Sequence, residues 1–116
     1  MRENVIQKKS FNFAIRIVNM YKYLVGRREF VISKQVLHSG TSIGANIEEA
    51  LGGQSRKDFI AKMSVSYKEA RETIYWLKLL YMTKYISRTG FNSIFNDCDE
   101  LCKIISKILV TSKSNS

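Results

Sequence analysis

The residues with the types and spacing for chemistry are few, and each set falls short of the chemistry it suggests. Gly40 and Gly44 lie among Ser39, Thr41, Ser42 and Ala45, a small-residue stretch that suggests a phosphate-binding loop. Such a loop needs one more residue between its glycines, a Lys-Ser or Lys-Thr pair after the second, and a strand in front. All three are missing here. A di-iron bundle needs Glu-x-x-His on two helices; Glu69 and Glu72 have the spacing, but no histidine follows. Cys98 and Cys102 stand one helical turn apart on an apolar face, which is the pattern of buried free thiols, and no histidine lies near in sequence to activate either. His38 is the only histidine, too few soft ligands for zinc. A ribonuclease bundle in which Arg precedes His by a few residues is also unsupported, because the nearest preceding arginine is Arg28. The residues therefore predict no catalysis, no metal, no cofactor and no small-molecule substrate.

Charge offers a different chemistry. The formal net charge is +9, from 19 Lys and Arg against 10 Asp and Glu. Residues 1–34 hold 8 cations against 2 acids and residues 59–90 hold 6 against 2, while the other two segments are near balance. A field of this kind attracts polyanions, although it also keeps a protein soluble. Lys9, Asn12, Arg16, Asn19 and Tyr23 repeat at steps of three and four, so cations, amides and a phenol line one side of the first helix. Such groups suit phosphate and base contacts; a solvated helix face is the plainer alternative. With Lys22, Arg27 and Arg28 added, Lys9, Asn12 and Arg16 are the candidate nucleic-acid contacts.

Four amphipathic segments must position these groups. The chain has no proline and every apolar period is helical, so an all-α fold is expected. The first helix begins near Ser10, or one or two turns earlier at Asn4. It should bury Phe11, Ala14, Ile15, Val18, Tyr21 and Val25, and end at a left-handed Gly26. Ser33 is placed to cap the second helix, with Ile32 and Leu37 as a hydrophobic staple. Within it Val36, Gly40, Ile43, Ile47 and Ala50 share one face. Gly40 and Gly44 each weaken a helix interior by about 0.8–1.0 kcal/mol relative to alanine, and the compensation is expected from a neighbouring helix packed close against them. Ser39, Ser42, Asn46 and Glu49 are expected to hydrogen-bond to an adjacent helix or chain, and the last three with Gly40 and Gly44 make up the packing motif.

Ser55 and Asp58 form a capping box before the longest helix. Ile60, Tyr67, Ile74 and Tyr81 recur there at sevens, with Met63, Ala70 and Leu77 beside them. Its second half carries another apolar stripe, Tyr75, Leu79, Met82 and Ile86, with Trp76 alongside. This is the expected oligomer interface. A last helix starts near Thr89-Gly90, and Phe91, Cys98 and Ile105, with Ile94, Leu101 and Ile108 and with Phe95, Cys102 and Leu109, give its apolar face. Residues 1–111 thus predict a single antiparallel up-down-up-down four-helix bundle, oligomeric, and residues 112–116 a disordered tail. No stretch has the length and hydropathy of a membrane span or resembles a signal peptide, so a cytoplasmic protein is expected.

The segments Gln35 to Ala50, Ser55 to Ile60, and Lys68 to Thr73 with Trp76-Leu77 resemble the bacterial four-helix bundle proteins related to those encoded by intervening sequences in 23S rRNA genes. The resemblance covers nearly the whole chain and implies an antiparallel bundle. Relatives are similar to the accessory protein of diversity-generating retroelements, a basic pentameric ring that binds nucleic acid and a reverse transcriptase. It therefore implies a homopentamer and two partners, RNA or DNA and a protein such as a reverse transcriptase. His38 stands where many members carry Arg; if that Arg contacts nucleic acid, the contact is weakened here, since histidine is mostly uncharged near neutral pH. The function expected from sequence is a non-enzymatic nucleic-acid accessory factor, RNA more than DNA. The alternative is a protein-interaction scaffold that binds no nucleic acid.

Overall fold

The computed structural model describes residues 4–115, which form four helices: α1 (Val5–Gly26), α2 (Ile32–Leu51), α3 (Arg56–Met82) and α4 (Arg88–Ser114). Each packs on the next and α1 closes on α4, giving the expected antiparallel four-helix bundle. Its centre is Phe13, Ile17 and Leu24 of α1, Val36, Ile43 and Ile47 of α2, Met63, Leu77 and Leu80 of α3, and Ile94, Leu101 and Ile105 of α4. On α3 the row Met63, Ala70 and Leu77 forms the core, and Tyr67, Ile74 and Tyr81 border it. Among the described residues no helix is long and apolar enough to cross a membrane.

The first helix is rotated relative to the sequence expectation. Ile6, Ser10, Phe13, Ile17 and Leu24 face the core, whereas Phe11, Ile15 and Val18 are exposed, Phe11 by 64%. Both stripes have helical spacing, so periodicity alone could not choose between them. The choice is made by α2. A Cβ on Gly40 would lie 2.7–2.9 Å from three side-chain carbons of Ile17, and one on Gly44 would lie 3.3 Å from the carbonyl oxygen and hydroxyl of Ser10. The two glycines are thus the sockets into which α1 docks. Only the stripe with Ile17 and the small Ser10 fits them.

Two helix ends also differ from expectation. Gly26 remains helical, and Arg28 takes the left-handed conformation with φ 64°. The amide of Glu29 then donates to the carbonyl of Leu24 and that of Arg28 to Val25, a Schellman motif with arginine where glycine is usual. The end of α3 repeats it: Lys84 has φ 69°, Tyr85 donates to Leu80 and Lys84 to Tyr81. Ser33 does not cap α2. The buried Glu29 carboxylate instead accepts from the amides of Val31, Ile32 and Ser33, at 2.6 Å from the last. It satisfies the helix start and opposes the positive end of its dipole. The fourth helix begins at Arg88, next to the expected Thr89, on the Ser87 cap.

A left-handed L-residue costs roughly 1–2 kcal/mol, and glycine returns part of that gain through unfolded-state entropy. Arg28→Gly and Lys84→Gly should therefore each stabilise the bundle by up to about 1 kcal/mol, read as a higher urea midpoint at unchanged slope.

Polar groups fix the α2–α3 register, and Ser39 and Glu49 of the expected stripe take part. The Thr73 hydroxyl donates to Ser39 at 2.9 Å and the buried Ser66 hydroxyl to the carbonyl of Ile43 at 2.8 Å. Lys62 pairs with Glu49 at 2.9 Å. Ser42 and Asn46 bond instead to carbonyls of their own helix, at His38 and Ser42, which is the usual competing use of short polar side chains. Ser55 caps α3 through the amide of Asp58, as expected, whereas the return bond from the Ser55 amide to the Asp58 carboxylate is not formed among the described residues. Both cysteines are buried and unbridged. The Cys102 sulfur beside it, then burial, push the Cys98 thiol far above its ordinary value, which suits packing and not nucleophilic work. The last helix runs three residues beyond Thr111 into the expected tail, and the Arg56 guanidinium reaches the carbonyl of Asn115.

Candidate nucleic-acid interface

Antiparallel topology brings the α1–α2 and α3–α4 connections to the same end of the bundle. Arg27 ties them together. Its guanidinium donates to the carbonyls of Lys84 and Tyr85, at 3.2 and 2.5 Å, and lies over the Tyr85 ring at 5.4 Å from the centroid. Lys22, Arg27, Arg28 and Lys34 flank one connection, and Lys78, Lys84 and Arg88 the other. The only acid in either segment is Glu29, buried and occupied as the α2 cap. Among the described residues none of the seven cations has a carboxylate partner. The first turn of α4, which starts at this end, carries no acid either. Unpaired cations and a helix N-terminus add to one positive field.

The ion pairs lie elsewhere, along the body of the bundle. Lys9 pairs with Glu100 at 3.1 Å, and Arg16 with Asp97 at 2.6 Å; Arg16 also donates to the hydroxyl and carbonyl of Ser93. Two of the six residues expected to contact nucleic acid are thus engaged across the α1–α4 seam. Asn12 is exposed beside them. Lys22, Arg27 and Arg28 fall at the cationic end, with Arg27 serving also as its clamp. Sequence reasoning missed Lys34, Lys78, Lys84 and Arg88 at this end. The available signal was the lack of any Asp or Glu from Phe30 to Ile47 and from Thr73 to Asn96.

His38 is exposed on α2 and faces Glu69 of α3. Burial, with Glu72 adding, raises the Glu69 carboxyl above the usual range, and the nearby His38 pulls it down. An arginine at position 38 would find this carboxylate as a partner, so the position is better placed for charge pairing than for phosphate.

The expected oligomer stripe is divided. Ile86 is buried in the core, and Trp76 is half-buried with its indole N–H donating to Glu72 at 3.0 Å. Leu79 is half-buried, and Tyr75 and Met82 are exposed on the outer side of α3. The row Phe11, Ile15 and Val18 of α1, expected in the core, is a second exposed apolar surface.

Comparison with known proteins agrees with this architecture. The family described as 23S rRNA-intervening sequence protein matches residues 2–107. The chain belongs to that family. A crystal structure of a protein of unknown function from the S23 ribosomal protein family of Bacteroides thetaiotaomicron VPI-5482 is 56% identical. That likeness covers 90% of this chain and 98% of the other, with a TM-score of 0.90. No curated protein matches the chain. Membership of the 23S rRNA-intervening sequence family and the likeness to that structure both agree with the four-helix fold.

Proposed function

We propose that this protein is a non-enzymatic, cytoplasmic bundle that binds structured nucleic acid, RNA in preference to DNA, through the cationic end where its two connections meet. It would act as an accessory or chaperone-like factor. The observation that carries this reading is the distribution of acids: Glu100, Asp97, Glu49 and Asp99 pair with Lys9, Arg16, Lys62 and Lys103 along the body, while the two segments holding the seven cations at the end contain no acid but the buried Glu29, and none of the seven has a carboxylate partner among the described residues. Arg28 and Lys84 add support, because each holds a cation at a backbone position where glycine would be less strained, and strain kept in a fold often marks a working surface. RNA is favoured because the family's description names 23S rRNA.

Contacts to phosphates release counterions, so affinity for a structured ribosomal RNA fragment should fall by roughly 10³-fold or more between 50 and 200 mM salt if six or more are made. Gel-shift titration measures this. No retardation at low salt would remove the proposal.

Self-assembly is the second part of the reading. Phe11, Ile15 and Val18 of α1 and Tyr75 and Met82 of α3 are bare in one copy, and α1 and α3 stand at diagonal corners of the bundle. Two apolar patches on opposite sides suit a heterologous contact, which generates a closed ring when the rotation closes. Light scattering at micromolar concentration should report an oligomer, a pentamer if the family resemblance extends to subunit number. Ile15→Glu should shift it toward monomer, and a monomeric wild type would overturn this account of both patches.

A further inference from the structure

We propose that the cleft between α1 and the start of α4 receives one unpaired nucleobase of the bound strand; this rests on the cationic end being a nucleic-acid surface. The cleft has a volume of about 480 Å³, in the range of small-ligand pockets. Its floor is apolar, made by Met20, Ile86 and Ile94, of which the last two are buried. Asn19 and Tyr23, one turn apart on α1, stand at its edge. Neither the Asn19 amide nor the Tyr23 hydroxyl has a hydrogen-bond partner among the described residues. Arg16 closes one end, its guanidinium held by Asp97 and Ser93.

An apolar slot with an aromatic ring and a free carboxamide at its rim matches the two needs of an unstacked base. A ring face replaces the lost stacking, and an amide pairs with the base edge. A phosphate or a sugar would leave the floor unused. Position favours the same occupant. Tyr23 lies one turn before Arg27, and Ile86 lies two residues before Arg88, so a strand whose phosphates rest on the cationic end would carry its next base to this opening. No acidic residue lines the cleft.

The test uses two RNAs of equal length and charge, a hairpin with 2-aminopurine in an unpaired loop and a blunt duplex. Wild type should change the fluorescence of the loop base on binding. Tyr23→Ala should weaken binding of the hairpin by about tenfold while leaving the duplex nearly unchanged, with Tyr23→Phe retaining most of the affinity, because stacking is worth this much per base. Asn19→Ala should weaken the hairpin less. Both side chains are exposed, and circular dichroism checks that the variants fold. Equal loss on the two RNAs, or no loss on either, overturns the cleft assignment while leaving the cationic end standing. Failure of wild type to bind either RNA at low salt overturns both.

Discussion

Gly40→Ala is expected to destabilise the bundle by about 1–3 kcal/mol, and the sign of the effect should invert once Ile17 is truncated to alanine. The added Cβ would meet Cγ1, Cγ2 and Cδ1 of Ile17 at 2.7–2.9 Å. Ile17 is fully buried and branched at Cβ, so it has no spare rotamer to move into. Against this stands the helix-propensity gain of alanine over glycine, about 0.8–1.0 kcal/mol, which is too small to offset a three-atom overlap. Ile17→Ala alone should cost roughly 2–5 kcal/mol by leaving a cavity. In that background the Gly40→Ala methyl enters empty space, and the propensity term should make it stabilising by about 1 kcal/mol. Urea midpoints of the four proteins at constant slope complete the cycle. Gly44→Ala is the control: its Cβ would sit 3.3 Å from Ser10, a contact relieved by a few tenths of an ångström, so propensity and crowding should nearly cancel. Gly40→Leu should abolish folding. Additive effects at Gly40 and Ile17 would mean that close approach is not why glycine stands there.

This pair also explains how much of the fold was legible in the sequence. The four helices, the capping serine at Ser55 and the α4 core of Ile94, Cys98, Leu101 and Ile105 follow from period and cap chemistry, which are local. The rotation of α1 was not legible, because Phe11, Ile15 and Val18 satisfy the same period as Phe13, Ile17 and Leu24. Only the shape of α2, with gaps opposite Ile17 and Ser10, decides between them. The mistake travelled outward. With α1 turned, Lys9 and Arg16 move from open solvent to the α1–α4 seam and meet Glu100 and Asp97, while Phe11, Ile15 and Val18, expected inside, become exposed. Helix ends failed for a related reason. Ser33 and Gly26 have the composition of caps, but Glu29 and Arg28 take the roles because the Schellman turn after α1 aims the Glu29 carboxylate at the amides opening α2. The cationic end depends on topology as well: its two segments lie about fifty residues apart in sequence and meet only because α1 and α3 run the same way.

Reversing charge at that end should weaken nucleic-acid binding far more than removing the cations of the α1 flank. Each phosphate contact adds about one to the slope of log affinity against log salt. A triple variant, Arg28→Glu with Lys84→Glu and Arg88→Glu, should therefore flatten the slope by roughly three and lower affinity on the order of a hundredfold or more at 50 mM salt. Lys9→Ala and Arg16→Ala remove cations whose charge is already answered by Glu100 and Asp97. Exposed pairs of this kind are worth about 0–1 kcal/mol, so each variant should change stability little and affinity by no more than a few-fold. Arg27 separates from both groups, because it joins the two connections through Lys84, Tyr85 and the Tyr85 ring. Arg27→Ala should lower stability and affinity together, whereas Arg28→Glu should lower affinity with stability nearly kept. The salt slopes of these variants, measured on one ribosomal RNA fragment, discriminate the two surfaces. If Lys9 and Arg16 carry the slope instead, their pairs with α4 must open when RNA binds, and the contact surface is the α1–α4 flank.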